Sequence, residues 1–244
     1  MPARPWAREE VAALIRTARD RHERTLFGFD MCFGLPFVDT GSYFPGDASP
    51  PDARSLWAEV EAVCAADLHG AAPSYVAHRR RHFWLGAADG ARRPFERLRA
   101  VERVDAARGG TPSPVAVLLG AAQCGKASLA GMRLLAGLGG VPVWPMDPLP
   151  ETGPAVVEIY CRVFANVGGV RGKLRSRAAL DGTLAKLSSP ICADDVPEIL
   201  TDHQGDALVS AAGMRAAAAD PASWAPPGLT PAIAATEGWT FGIA

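Results

Sequence analysis

The chain has 244 residues, of which 48% are hydrophobic, and a formal net charge of −1. This length and apolar content allow a substantial core, whereas the near-zero charge excludes a global electrostatic attraction to nucleic acid. The five cysteines are odd in number and never form a C-x-x-C pair, which argues against a zinc ribbon or a disulfide framework and predicts a cytoplasmic protein. The sequence contains no apolar signal core and no apolar run of about 18 residues, so we expect no membrane partner.

The first part of the chain predicts two helices and one strand. Apolar residues at helical spacing predict an amphipathic helix over residues 5–22. The run TLFGFD (25–30) predicts a short buried strand that ends in Asp30. Asp52 is placed to cap a helix over residues 53–68.

The next stretch, 53–112, is predicted to be a helical insertion rich in arginine. Between His78 and Arg108 it carries nine arginines and four acidic residues. One interpretation is a solvated helical face whose aromatic residues pack on the core. The alternative is a surface that contacts a nucleic acid backbone, because arginine is suited to bidentate phosphate binding.

The remainder of the chain alternates strand-like runs with helical periodicity. Strand-like runs occur at 115–120, 141–145 and 155–164. Helices are predicted after the first of these runs and again over 176–187 and 201–215. Strands that alternate with helices indicate an α/β fold.

The first candidate site is a set of carboxylates. Asp30 ends a predicted buried strand, Glu158 lies within an apolar strand-like run, and Asp206 lies on a helix that also carries Asp202 and His203. Charged groups on apolar strands are costly unless they are paired or metal-bound, and carboxylate oxygens suit Mg²⁺ or Mn²⁺. Convergence of the three acids predicts a metal-dependent phosphodiesterase, with His203 or Asp202 positioning water or moving a proton. In the alternative, the acids cap turns, pair with arginine or face solvent.

The second candidate site is a glycine-rich turn. The segment VAVLLGAAQCGKAS carries Gly120, Gly125 and Lys126 at the G-x-x-x-x-G-K spacing of a nucleotide-binding P-loop. Ala127 stands where serine or threonine should hold Mg²⁺, and Ser128 is one position late. A P-loop-like nucleotide-binding protein is therefore an alternative function. In the other interpretation the turn lets a strand meet a helix closely, with Lys126 exposed.

Several sequence blocks between residues 25 and 244 are familiar as a set. In chain order they are GFDMCFGLP, LLGAAQCGKASLAGM, VPVWPMD, VVEIYCRVF, DHQGDALVSAAGMR and EGWTFG. Together they resemble bacterial proteins of domain-of-unknown-function family 429 (DUF429), which are predicted to be RNase H-like nucleases. The resemblance implies an RNase H-like mixed sheet flanked by helices, in a single domain over residues 1–244 that contains the insertion.

The resemblance also implies a metal site and a departure from the family. Asp30, Glu158 and Asp206 match the acids expected to bind Mg²⁺ or Mn²⁺, and Asp202 and His203 match positions that assist. Relatives usually begin with a strand that carries an aspartate, whereas this chain begins directly in the first helix. Either the start codon is assigned too late or, as we expect, N-terminal strands and one metal ligand are lost. The expected function is a metal-dependent nuclease whose substrate, a nucleic acid or a nucleotide, stays open. A non-catalytic RNase H-like binding protein is the third possibility.

Overall fold

A computed structural model of the chain describes residues 6–120, 123–170, 172–191, 196 and 198–244. Within these residues the chain forms ten α-helices and one three-stranded sheet. The helices are α1 (Arg8–Asp20), α2 (Ala53–Val63), α3 (Pro73–His78), α4 (Ala100–Ala107), α5 (Gly125–Ala136), α6 (Cys161–Val167), α7 (Arg177–Lys186), α8 (Asp202–Ala218), α9 (Pro221–Trp224) and α10 (Pro231–Thr236). The described helices include none that is long and apolar enough to cross a membrane.

The chain packs into two compact units. The first unit comprises Met1–Phe27, Met31–Val157 and Gly228–Trp239. The second unit comprises Gly28–Asp30, Glu158–Pro227 and Thr240–Ala244. The segment 53–112 lies entirely in the first unit. One short 3₁₀ turn separates its helices α2 and α3, and three separate α3 and α4. The single RNase H-like domain over residues 1–244 stays a prediction.

The sheet has the order β1-β3-β2. Its strands are β1 (Leu26–Phe29), β2 (Val143–Trp144) and β3 (Ala155–Glu158). The strand β2 runs parallel to β3. The other pair also runs parallel, because the amide of Ala155 donates to the carbonyl oxygen of Thr25 (3.0 Å) and the amide of Ile159 donates to that of Phe29 (2.9 Å). This small parallel sheet with its helices confirms the α/β class.

The parallel pairing explains why two of the predicted site residues meet. Asp30 follows the last residue of β1, and Glu158 is the last residue of β3. Parallel strands present their carboxyl ends at one edge of a sheet, which is where ligands of open α/β sheets bind. The sequence therefore brings Asp30 and Glu158 to the same edge, within the second unit.

The strand predicted over residues 115–120 is wrong. In the structure Val117 forms a single bridge with Trp84, and its amide donates to the carbonyl oxygen of Pro114 (3.1 Å) in a turn. Val115, Val117 and Leu118 are nevertheless buried. The apolar run indicated burial correctly, but burial alone does not specify a strand.

The strand predicted over residues 155–164 is also too long. It ends at Glu158, and α6 begins at Cys161. Phe164 is a buried residue of this helix and does not belong to a strand. A continuous apolar run does not distinguish a buried strand from a buried helical turn that follows it.

The other predicted elements are close to those observed. The Oδ1 atom of Asp52 accepts a hydrogen bond from the amide of Ser55 (2.7 Å), which confirms the cap of α2, although α2 ends at Val63 and not at residue 68. The strands predicted at 25–30 and 141–145 and the helix predicted over 176–187 are confirmed, with shorter bounds.

The core of the first unit contains a buried cluster of charged groups that sequence patterns did not indicate. The carboxylate of Glu237 is 0% exposed and accepts main-chain hydrogen bonds from Phe37 (2.6 Å), Val38 (2.9 Å) and Ala100 (2.5 Å). Arg99, which is 1% exposed, donates from Nε to Glu102 (3.0 Å) and from Nη1 to the main-chain oxygen of Glu237 (3.0 Å). These donors satisfy the carboxylates, as buried charge requires.

The arginine-rich segment is largely neutralised within the first unit. Among its described residues, six of the nine arginines between His78 and Arg108 form salt bridges with acids of the same unit. Arg97 is the most extensively bonded, because it holds Asp39 with two nitrogens and also donates to the main-chain oxygen atoms of Pro36 and Ser42. This local compensation gives no support to a phosphate-backbone surface on the segment.

The second unit is built around α8, which packs against α6 and α7. Its small residues permit close approach: a Cβ atom on Gly205 would lie 2.7 Å from the carbonyl oxygen of Leu174, and one on Gly213 would lie 2.4 Å from the ring of Phe164. Small residues of this helix, among them Gly205, Ala212 and Gly213, are accordingly buried. Close packing fixes the helix that carries Asp206.

Candidate functional site: an acidic pocket in the second unit

A pocket of about 230 Å³ lies within the second unit. Its lining includes two acidic residues, Asp30 and Asp206, and two basic residues, Arg162 and Lys173. The Cys161 side chain lies between these charges. We refer to these five residues and their enclosure as the acidic pocket.

The surroundings of Asp30 in the acidic pocket raise the pKa of its carboxyl group. The residue reaches solvent, but protein atoms crowd its carboxyl group, and this loss of solvation raises its pKa above the usual value. Repulsion from Glu158 and Asp206 raises the pKa further. Hydrogen bonds from the thiol and the main-chain amide of Cys161 act in the opposite direction. Glu158 and Asp206 therefore both lie close enough to Asp30 to repel its carboxylate.

Glu158 contributes its charge from a buried position. It is 2% exposed, and its Oε1 atom accepts a hydrogen bond from the hydroxyl of Thr240 (2.7 Å). The main-chain oxygen of Glu158 accepts a hydrogen bond from the amide of Phe241 (2.8 Å). The C-terminal segment thus fixes both the backbone and the side chain of Glu158.

The beginning of α8 sets the position of the acids on that helix. Thr201 caps the helix, since its Oγ1 atom accepts from the amide of Gln204 (3.3 Å) and its own amide donates to Oε1 of Gln204 (2.9 Å). One turn further, Oδ2 of Asp206 lies 3.1 Å from Nζ of Lys173. This ion pair places one positive and one negative group side by side at the pocket.

Two residues predicted to assist lie outside the pocket lining. The carboxylate of Asp202 is bound by Arg175, with nitrogen–oxygen distances of 2.8 Å and 3.3 Å, and the interaction lowers the pKa of Asp202. His203 is exposed on the same helix. Spacing correctly suggested a shared helical face for Asp202 and Asp206, but the two acids take different basic partners.

Cys161 is a member of the acidic pocket that sequence reasoning did not single out. Burial, followed by repulsion from Asp30, raises the pKa of its thiol to about 12. The thiol therefore stays protonated near neutral pH and serves as a hydrogen-bond donor to Asp30. The hydroxyl of Ser210 opposes this shift, yet its buried Oγ atom makes no hydrogen bond of normal geometry within the described part of the chain.

The acidic pocket suits a hard divalent cation by the chemistry of its donors. Asp30 and Asp206 offer carboxylate oxygens, and the repulsion at Asp30 is the kind of charge imbalance that a cation relieves. Across the described ranges, no three side chains of His, Cys, Asp or Glu are already arranged as a metal-binding group. Asp30 and Asp206 are the residues that would hold such an ion, and the buried Glu158 adds negative charge close to Asp30.

The glycine-rich turn of the first unit has a packing role. A Cβ atom on Gly125 would lie 2.0 Å from the carbonyl oxygen of Val115, so only glycine allows α5 to begin at this point. Lys126 is exposed, and Gly120 has a φ of +129°. Residues 121–122 of the predicted phosphate loop lie outside the described residues. This geometry gives the nucleotide-binding alternative no support.

The residues missed by sequence reasoning follow directly after the predicted acids or come from distant segments. Cys161 and Arg162 belong to the first turn of α6, so the early end of β3 was the signal that could have revealed them. Lys173 and Thr240 carry no comparable signal, because their positions depend on how α8 and the C-terminal segment pack.

Comparisons of the chain with protein-family models, with curated proteins and with solved structures give no match. The resemblance to family 429 and the RNase H-like architecture stay predictions. The functional assignment therefore rests on the geometry and charge of the acidic pocket.

Proposed function

We propose that the protein is a metal-dependent phosphodiesterase whose active site is the acidic pocket, with a nucleic acid or a nucleotide as substrate. The observation that carries this proposal is the combination of charges in one concavity: Asp30 and Asp206 for a cation, and Arg162 and Lys173 for an anion. A phosphodiester bound to a metal ion also combines a negative and a positive charge, so each of them meets an opposite charge in this pocket. An RNase H-like architecture is part of the proposal.

The residues of the pocket divide into two roles. Asp30 and Asp206 hold the cation, and the buried carboxylate of Glu158 adds negative charge close to Asp30. When bound, Mg²⁺ or Mn²⁺ supplies an activated water and neutralises charge on the phosphate. Lys173 and Arg162 bind non-bridging phosphate oxygens, which requires Lys173 to exchange its contact with Asp206 for the substrate.

The Cys161 thiol orients Asp30. Because its pKa is raised to about 12, it donates a hydrogen bond and does not act as a thiolate nucleophile. This donor and the Cys161 amide fix the direction of the Asp30 carboxylate. Outer hydrogen bonds of this type set the orientation of a metal ligand.

The test is cleavage of mixed DNA and RNA substrates, and of a small phosphodiester, with and without Mn²⁺. The variants are Asp30→Asn, Asp206→Asn and Glu158→Gln, and Asp20→Asn on the surface of the first unit is the matched control. Loss of an outer partner of a metal ligand costs about 10- to 100-fold in activity, so we expect each pocket variant to lose at least about 100-fold and the control to keep the native rate. Equal Mn²⁺-dependent rates in all proteins would reject the proposed site.

A further inference from the structure

Two cysteines of the first unit lie side by side although they are far apart in sequence. The Sγ atoms of Cys32 and Cys124 are 3.9 Å apart. Neither residue is part of a disulfide, and both belong to the first unit, outside the acidic pocket. This separation is close to van der Waals contact, so the sulfurs must approach by about 2 Å to reach bonding distance.

The surroundings of the two thiols give them different access to solvent. Cys32 is 7% exposed, whereas Cys124 is half-buried and directly precedes α5. The backbone of Cys32 is fixed, because its amide donates to Oγ of Ser128 (2.9 Å). A small oxidant therefore reaches Cys124 before it reaches Cys32.

The same surroundings provide a proton acceptor for the buried thiol. The Sγ atom of Cys32 donates to Oε1 of Glu102 (3.6 Å), while the Sγ atom of Cys124 donates to the main-chain oxygen of Ser113 (3.6 Å). The neighbouring Cys124 side chain and then burial raise the pKa of Cys32, and the nearby Arg99 opposes that shift. Cys32 is therefore a protonated thiol that lies beside the carboxylate of Glu102.

We propose that Cys32 and Cys124 form a reversible disulfide when the protein meets hydrogen peroxide, so that this pair is a redox-sensitive modification site. Such transient disulfides are the type found in reducing compartments. The pair lies in the first unit and does not depend on the phosphodiesterase assignment.

The reaction proceeds in two balanced steps. In the first step the Cys124 thiolate attacks one peroxide oxygen, and the O–O bond breaks. Cys124 becomes a sulfenic acid, and the second oxygen takes up a proton and leaves as water. The Cys32 sulfur then attacks the Cys124 sulfur as its proton passes to Glu102; the S–S bond forms, the S–O bond breaks, and hydroxide leaves and takes up that proton as water. Two thiols are oxidised and one peroxide is reduced to two waters.

The test is peptide mapping of the folded full-length protein after brief treatment with equimolar hydrogen peroxide. Trypsin cleaves after Arg24, Arg54, Arg108 and Lys126, so Cys32 and Cys124 are each the only cysteine of their peptides, 25–54 and 109–126. We expect these two peptides to be linked, the free thiols to fall from the five in the sequence to three, and dithiothreitol to restore all five. A different linked pair, or five remaining thiols, would overturn the proposal.

Two variants separate the roles of the sulfurs. In Cys32→Ser, Cys124 should stop at the sulfenic acid, which a dimedone probe traps on peptide 109–126. In Cys124→Ser, peroxide should leave Cys32 unmodified at the same dose. The control for folding is oxidation of the wild-type chain after unfolding in urea. In the unfolded chain the Cys32–Cys124 disulfide should no longer be preferred over other pairs. Equal preference in the folded and unfolded chains would show that the geometry plays no part, and the proposal would fall.

Discussion

Two groups of acids in this molecule differ in how their charge is balanced. In the first unit, Glu237 accepts three main-chain hydrogen bonds and Glu102 accepts from Arg99. In the second unit, Asp30 is repelled by Glu158 and Asp206, and its hydrogen-bond donors are the neutral thiol and amide of Cys161. Burial of a carboxylate therefore does not by itself indicate function. The distinguishing feature is whether the folded protein already satisfies the charge.

The largest effect is expected at Glu237. In Glu237→Gln an amide NH₂ must face one or more of the main-chain donors that now meet a carboxylate, so a hydrogen bond becomes a repulsive contact. A buried hydrogen bond to a charged group contributes about 1.5–3 kcal/mol, and a buried donor left unsatisfied costs a similar amount. We expect urea-induced unfolding to show a loss of this size.

Glu96→Gln is the matched control, because the Arg92–Glu96 pair is on the surface of the same unit and Glu96 is 41% exposed. Exposed pairs contribute about 0.2–1 kcal/mol. Similar losses in the two variants would show that the network around Glu237 is not what stabilises the first unit.

The contrast between the groups also explains how much the sequence could predict. Glu158 was recognisable because a charge stands out in an apolar run, and Asp30 because it ends another such run. Glu237 was not recognisable, because its donors come from residues near 37 and 100, which only the fold brings to it. The sulfur pair is hidden for the same reason.

The same limitation applies to the elements of the fold. Short apolar runs predicted β1 and β2 correctly, but an equally apolar run at 115–120 forms a buried turn after Pro114. Local periodicity measures which side chains are buried, and hydrogen-bond partners decide whether a buried run becomes a strand. Gly125 is needed for the close packing of α5 against Val115. In the sequence, the same glycine resembled part of a phosphate loop.

A smaller loss is expected at Asp39, a balanced acid of the first unit. Hydrogen bonds from Arg97 hold the pKa of Asp39 below its usual value of 3.8. Its stabilising contribution is therefore present above pH 3.8 and is lost as the pH falls through the lowered folded-state pKa. We expect Asp39→Asn to cost about 1–2 kcal/mol near pH 7 and the difference from native protein to vanish in acid. The linkage would be contradicted if the stability difference between Asp39→Asn and native protein stayed constant from pH 7 down to about pH 2, the acid limit of the titration.

The smallest effect, with the opposite sign, is expected at Asp30. Its folded-state pKa is raised, so the stability linked to its protonated form is present below the usual value of 3.8 and is lost as the pH rises through the raised value. Asparagine does not ionise and avoids that loss. We expect Asp30→Asn to unfold at the same or a higher urea concentration than native protein near neutral pH, with the two converging in acid. Destabilisation by Asp30→Asn near neutral pH would place Asp30 among the balanced acids.

The most direct test of the acidic pocket is equilibrium binding of Mn²⁺, followed by the loss of the free-ion signal in electron paramagnetic resonance. The native protein should take up Mn²⁺, Asp20→Asn should match it, and Asp30→Asn should bind at least about 10-fold more weakly while remaining folded. Uptake that is absent in the native protein, or equal in Asp30→Asn, would contradict the assignment of a cation site to the second unit.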